Sequence, residues 1–307
     1  MNIPKEKFTI VGSQNSEAER IARPHVSYFK DTMRRLRESK TAMVALIILI
    51  LMVVMVIIGP YLSGYAFEEI DTRPEYKNSP PSSEHWFGTD KLGRDLFSRV
   101  WQAGRVSMVI GLVGAAVAAI VGCIYGGISA YCGGKVDTIM MRIVEVITSI
   151  PYLIVVILLS VVLDSKSLGT LILALTITGW CGTARLVRGQ ILQLKSQEFV
   201  MAAQALGVKP LRIIVKHLIP NTMSTIIVSI TFAIPNYIFS EAFLSFIGLG
   251  VQPPDTSWGA LSSAAQAQFL FYPYQLFFPS LMIALTMLSF TLLGDGLRDA
   301  LDPKLRK

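Results

Sequence analysis

The residue types that carry out chemistry are few in this chain and widely spaced. Its three histidines, His25, His85 and His217, are scattered, and none sits in the His-Glu-x-x-His pattern that builds a zinc site on one helical face. No Gly-x-Ser-x-Gly elbow presents a serine nucleophile. No Gly-rich loop ending in Gly-Lys-Ser/Thr is available to cradle a nucleotide's phosphates. The chain is therefore expected to hold no catalytic residue, metal or cofactor, and energy must come from a partner or an ion gradient. One acidic residue stands apart. Glu241 interrupts an apolar run that starts at Leu218 and continues beyond it. A carboxylate inside a membrane is costly, so it marks a functional candidate. It can face a translocation cavity, cap an outer gate, or bond loop backbone at the interface.

The elements that must position these residues follow from composition. Of 307 residues, 52% are hydrophobic and 16% charged, against about 25% charged in soluble domains. With 15 Phe, 10 Tyr and 4 Trp, disorder is excluded. Cys123, Cys132 and Cys181 lie in or beside apolar stretches and do not form a disulfide framework. What remains is an all-α polytopic membrane protein. Windows free of Asp, Glu, Lys and Arg fall at 41–67, 106–134, 146–163, 167–184, 218–240 and 256–294, the last spanning with its second half, 276–294. Each holds the roughly 20 apolar residues that a crossing requires, so six transmembrane helices are expected. No signal peptide precedes the first, which reads as a retained helix. With the N-terminus inside, segments 1–41, 132–142, 185–217 and 295–307 carry 21 of the 28 basic residues. By the positive-inside rule both termini are cytoplasmic, and the net charge of +7 calls for no nucleic acid. The run Arg34, Arg35, Arg37 and Lys40 reads as topology and lipid-phosphate contact.

Local patterns add detail. Arg142 and Glu145 read as a helical pair, and Arg185 and Arg188 as anchors closing the fourth span. Asp295, Arg298, Asp299 and Asp302 read as a solvated end. Pro151 and Pro235 fall inside spans three and five, where proline kinks a helix. Three loops exceed what turning around requires. The external 61–105 loop carries Leu96, Phe97, Val100 and Trp101 at helical spacing, which predicts a short interfacial helix anchored by Trp86 and Trp101. The external 248–275 segment reads as a cavity rim or a simple loop. In the cytoplasmic 185–217 loop, Phe199, Ala202, Ala203 and Leu206 are expected to share one face of a short helix. Gly207 then supplies its C-cap and Pro210 opens a second short helix. This helix–Gly–helix knob fits docking into a partner's groove, and it equally fits lying on headgroups.

At this loop the sequence resembles the inner-membrane permeases of ABC importers, whose loop runs Glu-Ala-Ala, three residues, Gly, nine residues, Ile-x-Leu-Pro. The matched positions are Ala202, Ala203, Gly207 and Pro220; Met201 replaces the Glu, His217 the Ile and Ile219 the Leu. The segments 85–100, 241–259 and 294–307 resemble the oligopeptide and dipeptide permeases of the C-subunit type, and the likeness covers about 25–307. The resemblance implies a type I ABC importer transmembrane domain. It comprises a 1–41 N-terminal segment, a first helix 42–60, an extracytoplasmic loop 61–104, a five-helix domain 105–296 with its coupling loop at 189–217, and a tail 297–307. It implies transport of oligopeptides or dipeptides across a bacterial cytoplasmic membrane. The expected partners are a second homologous permease, two ATPase subunits that bind ATP and Mg, and an extracytoplasmic peptide-binding protein. Glu198, Ala202, Ala203, Gly207 and Pro220 map onto the coupling loop, and Glu241 is the pathway candidate. An ion-gradient-driven secondary transporter is the alternative. Such carriers show inverted repeats and midplane charges, and here Glu241 is the one candidate carboxylate.

Overall fold

The computed structural model describes residues 28–163 and 167–302. Expectations for His25, for Lys304, Arg306 and Lys307, and for the rest of 1–27, 164–166 and 303–307 lie outside the described residues. Among the described residues there is no strand, only an isolated bridge between Thr89 and Asp95. The helices are α1 Tyr28–Glu38, α2 Lys40–Ile58, α3 Leu96–Cys132, α4 Gly134–Ser149, α5 Tyr152–Val162, α6 Leu168–Leu194, α7 Glu198–Ala205, α8 Pro210–Ile213, α9 Ile219–Phe246, α10 Trp258–Gln266 and α11 Pro273–Leu301. Five stretches are long and apolar enough to cross a membrane. The α4–α5 pair, bent by 81°, passes the same test when its two helices are taken together, which brings the number to six if the pair is one broken span. Large apolar side chains face outward along these helices, among them Ile47 and Leu51 on α2 and Val161 and Val162 on α5. That inverts the soluble pattern and suits lipid.

Four expectations change in the fold. The interfacial helix expected within 61–104 is not separate. It is the first part of α3, which runs unbroken for 37 residues. Asp95 caps that helix by accepting from the Ser98 N–H at 2.8 Å. Arg105, which bounded the charge-free window, and Arg99 before it are accommodated within this helix. Arg105 donates from Nε to the Val56 carbonyl at 2.9 Å and from Nη2 to the Ile57 carbonyl at 2.7 Å. These are among the last carbonyls of α2, which lack helical partners and carry its negative dipole end. Arg99 reaches the Phe67 carbonyl. Trp101 is buried over Gly59, where a Cβ would strike its ring, whereas Trp86 stays exposed.

The third crossing is likewise not a straight 146–163 helix. Pro151 has no N–H to continue the ladder and forces Ile150 into an extended conformation, so α4 and α5 meet at an angle. Pro210 opens no isolated second helix either. From Pro210 the chain passes through a π-helical turn, Ile214–Leu218, directly into α9. Pro220 explains the turn: it cannot donate to the Lys216 carbonyl and its ring crowds it, and the wider π turn absorbs the mismatch. The 248–275 loop is partly helical, through α10.

The packing centres on α3. Gly122 and Gly126 let it approach α6 so closely that a Cβ would meet Thr183 and the Ala184 backbone. Gly111 and Gly114 admit Ile238 and Tyr237 of α9. Small residues at helix crossings are how membrane helices gain van der Waals contact without a hydrophobic driving force. One apolar cluster joins α3, α5, α6 and α9, and a second joins α2, α3, α10 and α11. A third joins the far end of α3 to α6, α7, α8 and α9.

Candidate functional site

The loop between α6 and α9 is built by local rules. α6 ends at Leu194, and Lys195 folds back so that its Nζ donates to the Tyr131 carbonyl at 2.5 Å, at the end of α3. α7 then begins, with Glu198 in its first turn, where a carboxylate is favoured by the helix dipole. It ends in a Schellman motif. The Val208 N–H reaches back to the Ala203 carbonyl at 3.1 Å, and the Gly207 N–H to Gln204 at 2.9 Å. This requires the left-handed conformation that Gly207 adopts, with φ of +72°. Any Cβ there would strain the turn.

The face of α7 that packs inward is Val200 and Ala203. Both are buried with Val187, Ile191, Ile213 and Leu218. The expectation that Ala203 shares a face with Phe199, Ala202 and Leu206 is therefore corrected. Val200 and Ala203, three residues apart, seat the helix, while Phe199, Met201, Ala202 and Leu206 point away from the body. Leu206 is 82% exposed, and Leu211 extends the outward apolar surface onto α8. Glu198 and Pro220 are exposed. Met201, where the resemblance leads one to expect Glu, sits on the outward side.

Glu241 lies elsewhere, at the opposite end of α9 and 0% exposed. Its Oε1 accepts from Ser245 Oγ at 2.6 Å and Ser257 Oγ at 2.5 Å, and its Oε2 from Ser107 Oγ at 3.1 Å. Ser257 also caps α10, accepting from the Ala260 N–H at 3.0 Å, and Ser107 accepts from the Trp258 N–H at 3.2 Å. The carboxylate is thus a knot that ties α3, α9 and the start of α10. Within this chain the carboxylate is buried away from the surface. The loop-bonding alternative is nearer, with side-chain hydroxyls in place of backbone.

A second polar knot holds the α7 side of the bundle. Asp137 of α4 pairs in bidentate fashion with Arg188 of α6, both contacts at 2.5 Å, and also accepts from Ser129 of α3. Arg185 donates to Thr148, at the other end of α4, at 2.5 Å. The two arginines read as anchors are thus helix clamps as well. Arg142 and Glu145 do form their exposed local pair, at 2.7 Å. His85 is buried against Asp95, Nδ1 to Oδ1 3.0 Å. Among the described residues no cluster of His, Cys, Asp and Glu could hold a metal.

Sequence reasoning missed Asp137, Ser129 and the three serines around Glu241. Ser245 was detectable, one helical turn from Glu241. The other serines come from distant segments and carry no local signal.

Comparison with known proteins agrees with this architecture. The family model described as binding-protein-dependent transport system inner membrane component matches residues 114–307. The N-terminal transmembrane domain of oligopeptide transport permease C matches residues 27–81. The dipeptide transport system permease protein DppC of Bacillus subtilis (strain 168) is 49% identical over 306 residues, covering 99% of this chain and 95% of that protein. The oligopeptide transport system permease protein OppC of the same organism is 49% identical over 306 residues, covering 100% and 99%. Among solved structures, an inward-facing MetNI methionine ABC transporter chain aligns with a TM-score of 0.54 at 18% identity, covering 66% of this chain and 94% of that one. That last likeness shows the fold, a type I importer transmembrane domain. A six-crossing helical body, an exposed helix–Gly turn on one end and sustained identity along the chain converge, and the chain belongs to the binding-protein-dependent transport system inner membrane components, the non-enzymatic permease subunits of ABC importers.

Proposed function

We propose that this chain forms one half of the pathway by which an ABC importer carries dipeptides or oligopeptides across a bacterial cytoplasmic membrane. The other half is a second, homologous permease. Two ATPase subunits, which bind ATP and Mg, dock on α7 from the cytoplasm, and an extracytoplasmic peptide-binding protein delivers cargo. Both termini are cytoplasmic, with lipid around the bundle and the basic residues on the α7 side.

The observation that carries this reading is the construction of α7. A helix of eight residues is fixed to the bundle by Val200 and Ala203, stopped by a left-handed glycine, and left with Phe199, Ala202 and Leu206 outward. A helix lying on headgroups needs its apolar face against the acyl boundary. Here the loop joins the bundle's end through Lys195 and the apolar cluster beneath, so a push on the outward face reaches α3, α6 and α9 directly. Glu241, the one candidate carboxylate for the ion-coupled alternative, is buried and accepts from three hydroxyls.

Uptake of a labelled peptide into proteoliposomes that contain the purified assembly and the loaded binding protein tests the reading. Uptake is expected to require ATP inside and to persist when uncouplers collapse ion gradients. Uptake abolished by uncouplers and indifferent to ATP would refute it.

A further inference from the structure

A cavity of about 330 Å³ opens between α5, α6 and α9, and it is unlike the other grooves of the bundle. Tyr152, Thr178, Asn236, Tyr237 and Ser240 line it together with Gly179, and none of its lining side chains is charged. The larger grooves beside α11 and α2 are lined mainly by Phe, Leu, Ile and Met. Thr178 lies about 15 Å along α6 from Leu168, at 1.5 Å per residue. That is about half of a 30 Å hydrocarbon core. Tyr152 stands directly after the Pro151 bend. The polar cavity therefore sits near the membrane midplane.

Polar groups at that depth are tolerated only where protein or a water-filled path satisfies them. Tyr237 makes the point sharply. The residue is 8% exposed, its ring is wedged between α3 and α6, and its buried hydroxyl has no hydrogen-bond partner among the described residues. Gly179 is what admits that hydroxyl, since a Cβ there would collide with it. A buried orphan hydroxyl is a departure from the rule that such groups are paired. Asn236 and Gly179 at the cavity are exposed, so it opens away from this chain's own core. Acyl chains would leave these polar groups unsatisfied.

We propose that this cavity is a contact site on the translocation path for the main chain of the permeating peptide. It offers hydroxyls and an amide, which pair with peptide N–H and C=O groups. It offers no charge, so it neither traps nor rejects cargo by its side-chain charge. The site rests on the peptide-import reading above and adds the residues that the cargo touches.

The test uses the whole assembled transporter in a Cys132→Ser background, which removes the exposed native thiol. Single cysteines are placed at Thr178, Asn236 and Ser240, with Leu173→Cys, an outward position on α6, as the control. During turnover a charged methanethiosulfonate reagent is expected to label the three cavity positions and stop peptide uptake. Saturating peptide-loaded binding protein should slow the labelling, and Leu173→Cys should stay unlabelled. Ser240→Ala should raise the KM for peptide about fivefold, the scale of one lost hydrogen bond, with wild-type yield of complex. If the cavity cysteines stay unlabelled, or are labelled without effect while Ser240→Ala transports with wild-type KM, the site is wrong. Disulfide capture of Asn236→Cys by the second permease without labelling would make this surface an interface, and would equally overturn it. Wild-type uptake is measured in the same vesicles. Its ATP dependence reports on the importer reading, and the labelling pattern reports on the cavity alone.

Discussion

At the scale of single residues, Glu241 shows how a costly group is made structural. Three serine hydroxyls donate to it from three different segments, and two of them also accept from backbone N–H groups at the start of α10. Glu241→Ala would take away the acceptor that three buried hydroxyl protons share, a loss of about 2 kcal/mol or more. Glu241→Gln keeps an acceptor oxygen for part of the network. Thermal unfolding in mild detergent should therefore rank wild type above Gln and Gln above Ala, and an alanine variant melting with wild type would show that the knot contributes nothing. The sequence marked Glu241 as unusual because a charge interrupts an apolar run. It could not supply the partners, since Ser107 and Ser257 are brought to it only by the close packing of α3 and α10 on α9. Asp137 was hidden for a related reason: a lone acid near a helix start is unremarkable until Arg188, on another helix, is placed opposite.

At the scale of elements, α7 separates two roles that the sequence pattern ran together. Ala203 faces inward and Phe199 and Leu206 face outward, so substitutions on the two faces should fail differently. Ala203→Asp buries a charge among Val187, Ile191 and Leu218 and should lower the amount of folded protein recovered. Phe199→Asp or Leu206→Asp should leave yield and melting unchanged, while abolishing peptide-stimulated ATP hydrolysis and uptake. Size-exclusion recovery and ATPase assays of the purified assembly distinguish the two. Equal loss of folded protein from both faces, or full coupling in Leu206→Asp, would contradict the assignment. The glycine cap and the short helix were legible because Gly207 and Pro210 leave local chemistry no other choice. The ends of the crossings were not. A window that stops at the first charge ends α3 at Arg105, whereas Arg105 is spent on the last carbonyls of α2 and the helix begins at Asp95. The third crossing escaped for the opposite reason. Its first half, α4, carries Lys135, Asp137, Arg142 and Glu145, and its charges are settled by pairing with α6, by a local pair and by exposure.

At the scale of the molecule, the helices around a glycine-lined α3 present an outward apolar belt, a cavity that Thr178, Asn236 and Ser240 help to line, and a short exposed helix, α7, at the end of the bundle. The excess of Lys and Arg in segments 1–41, 132–142, 185–217 and 295–307 is what the sequence offers on orientation. The cavity was not readable, because Thr178, Asn236 and Ser240 are scattered along α6 and α9 and meet only in the fold. The proposal that this chain forms half of a pathway and meets its ATPase subunits through the exposed helix α7 is the central claim. Affinity purification of the chain from its native membrane in mild detergent, with mass spectrometry of what accompanies it, tests that claim most directly. The account predicts a second six-crossing permease and ATPase subunits carrying phosphate-binding loops, recovered together with this chain and lost in part when Leu206 becomes Asp. Recovery of the chain alone, folded and stable, would contradict it.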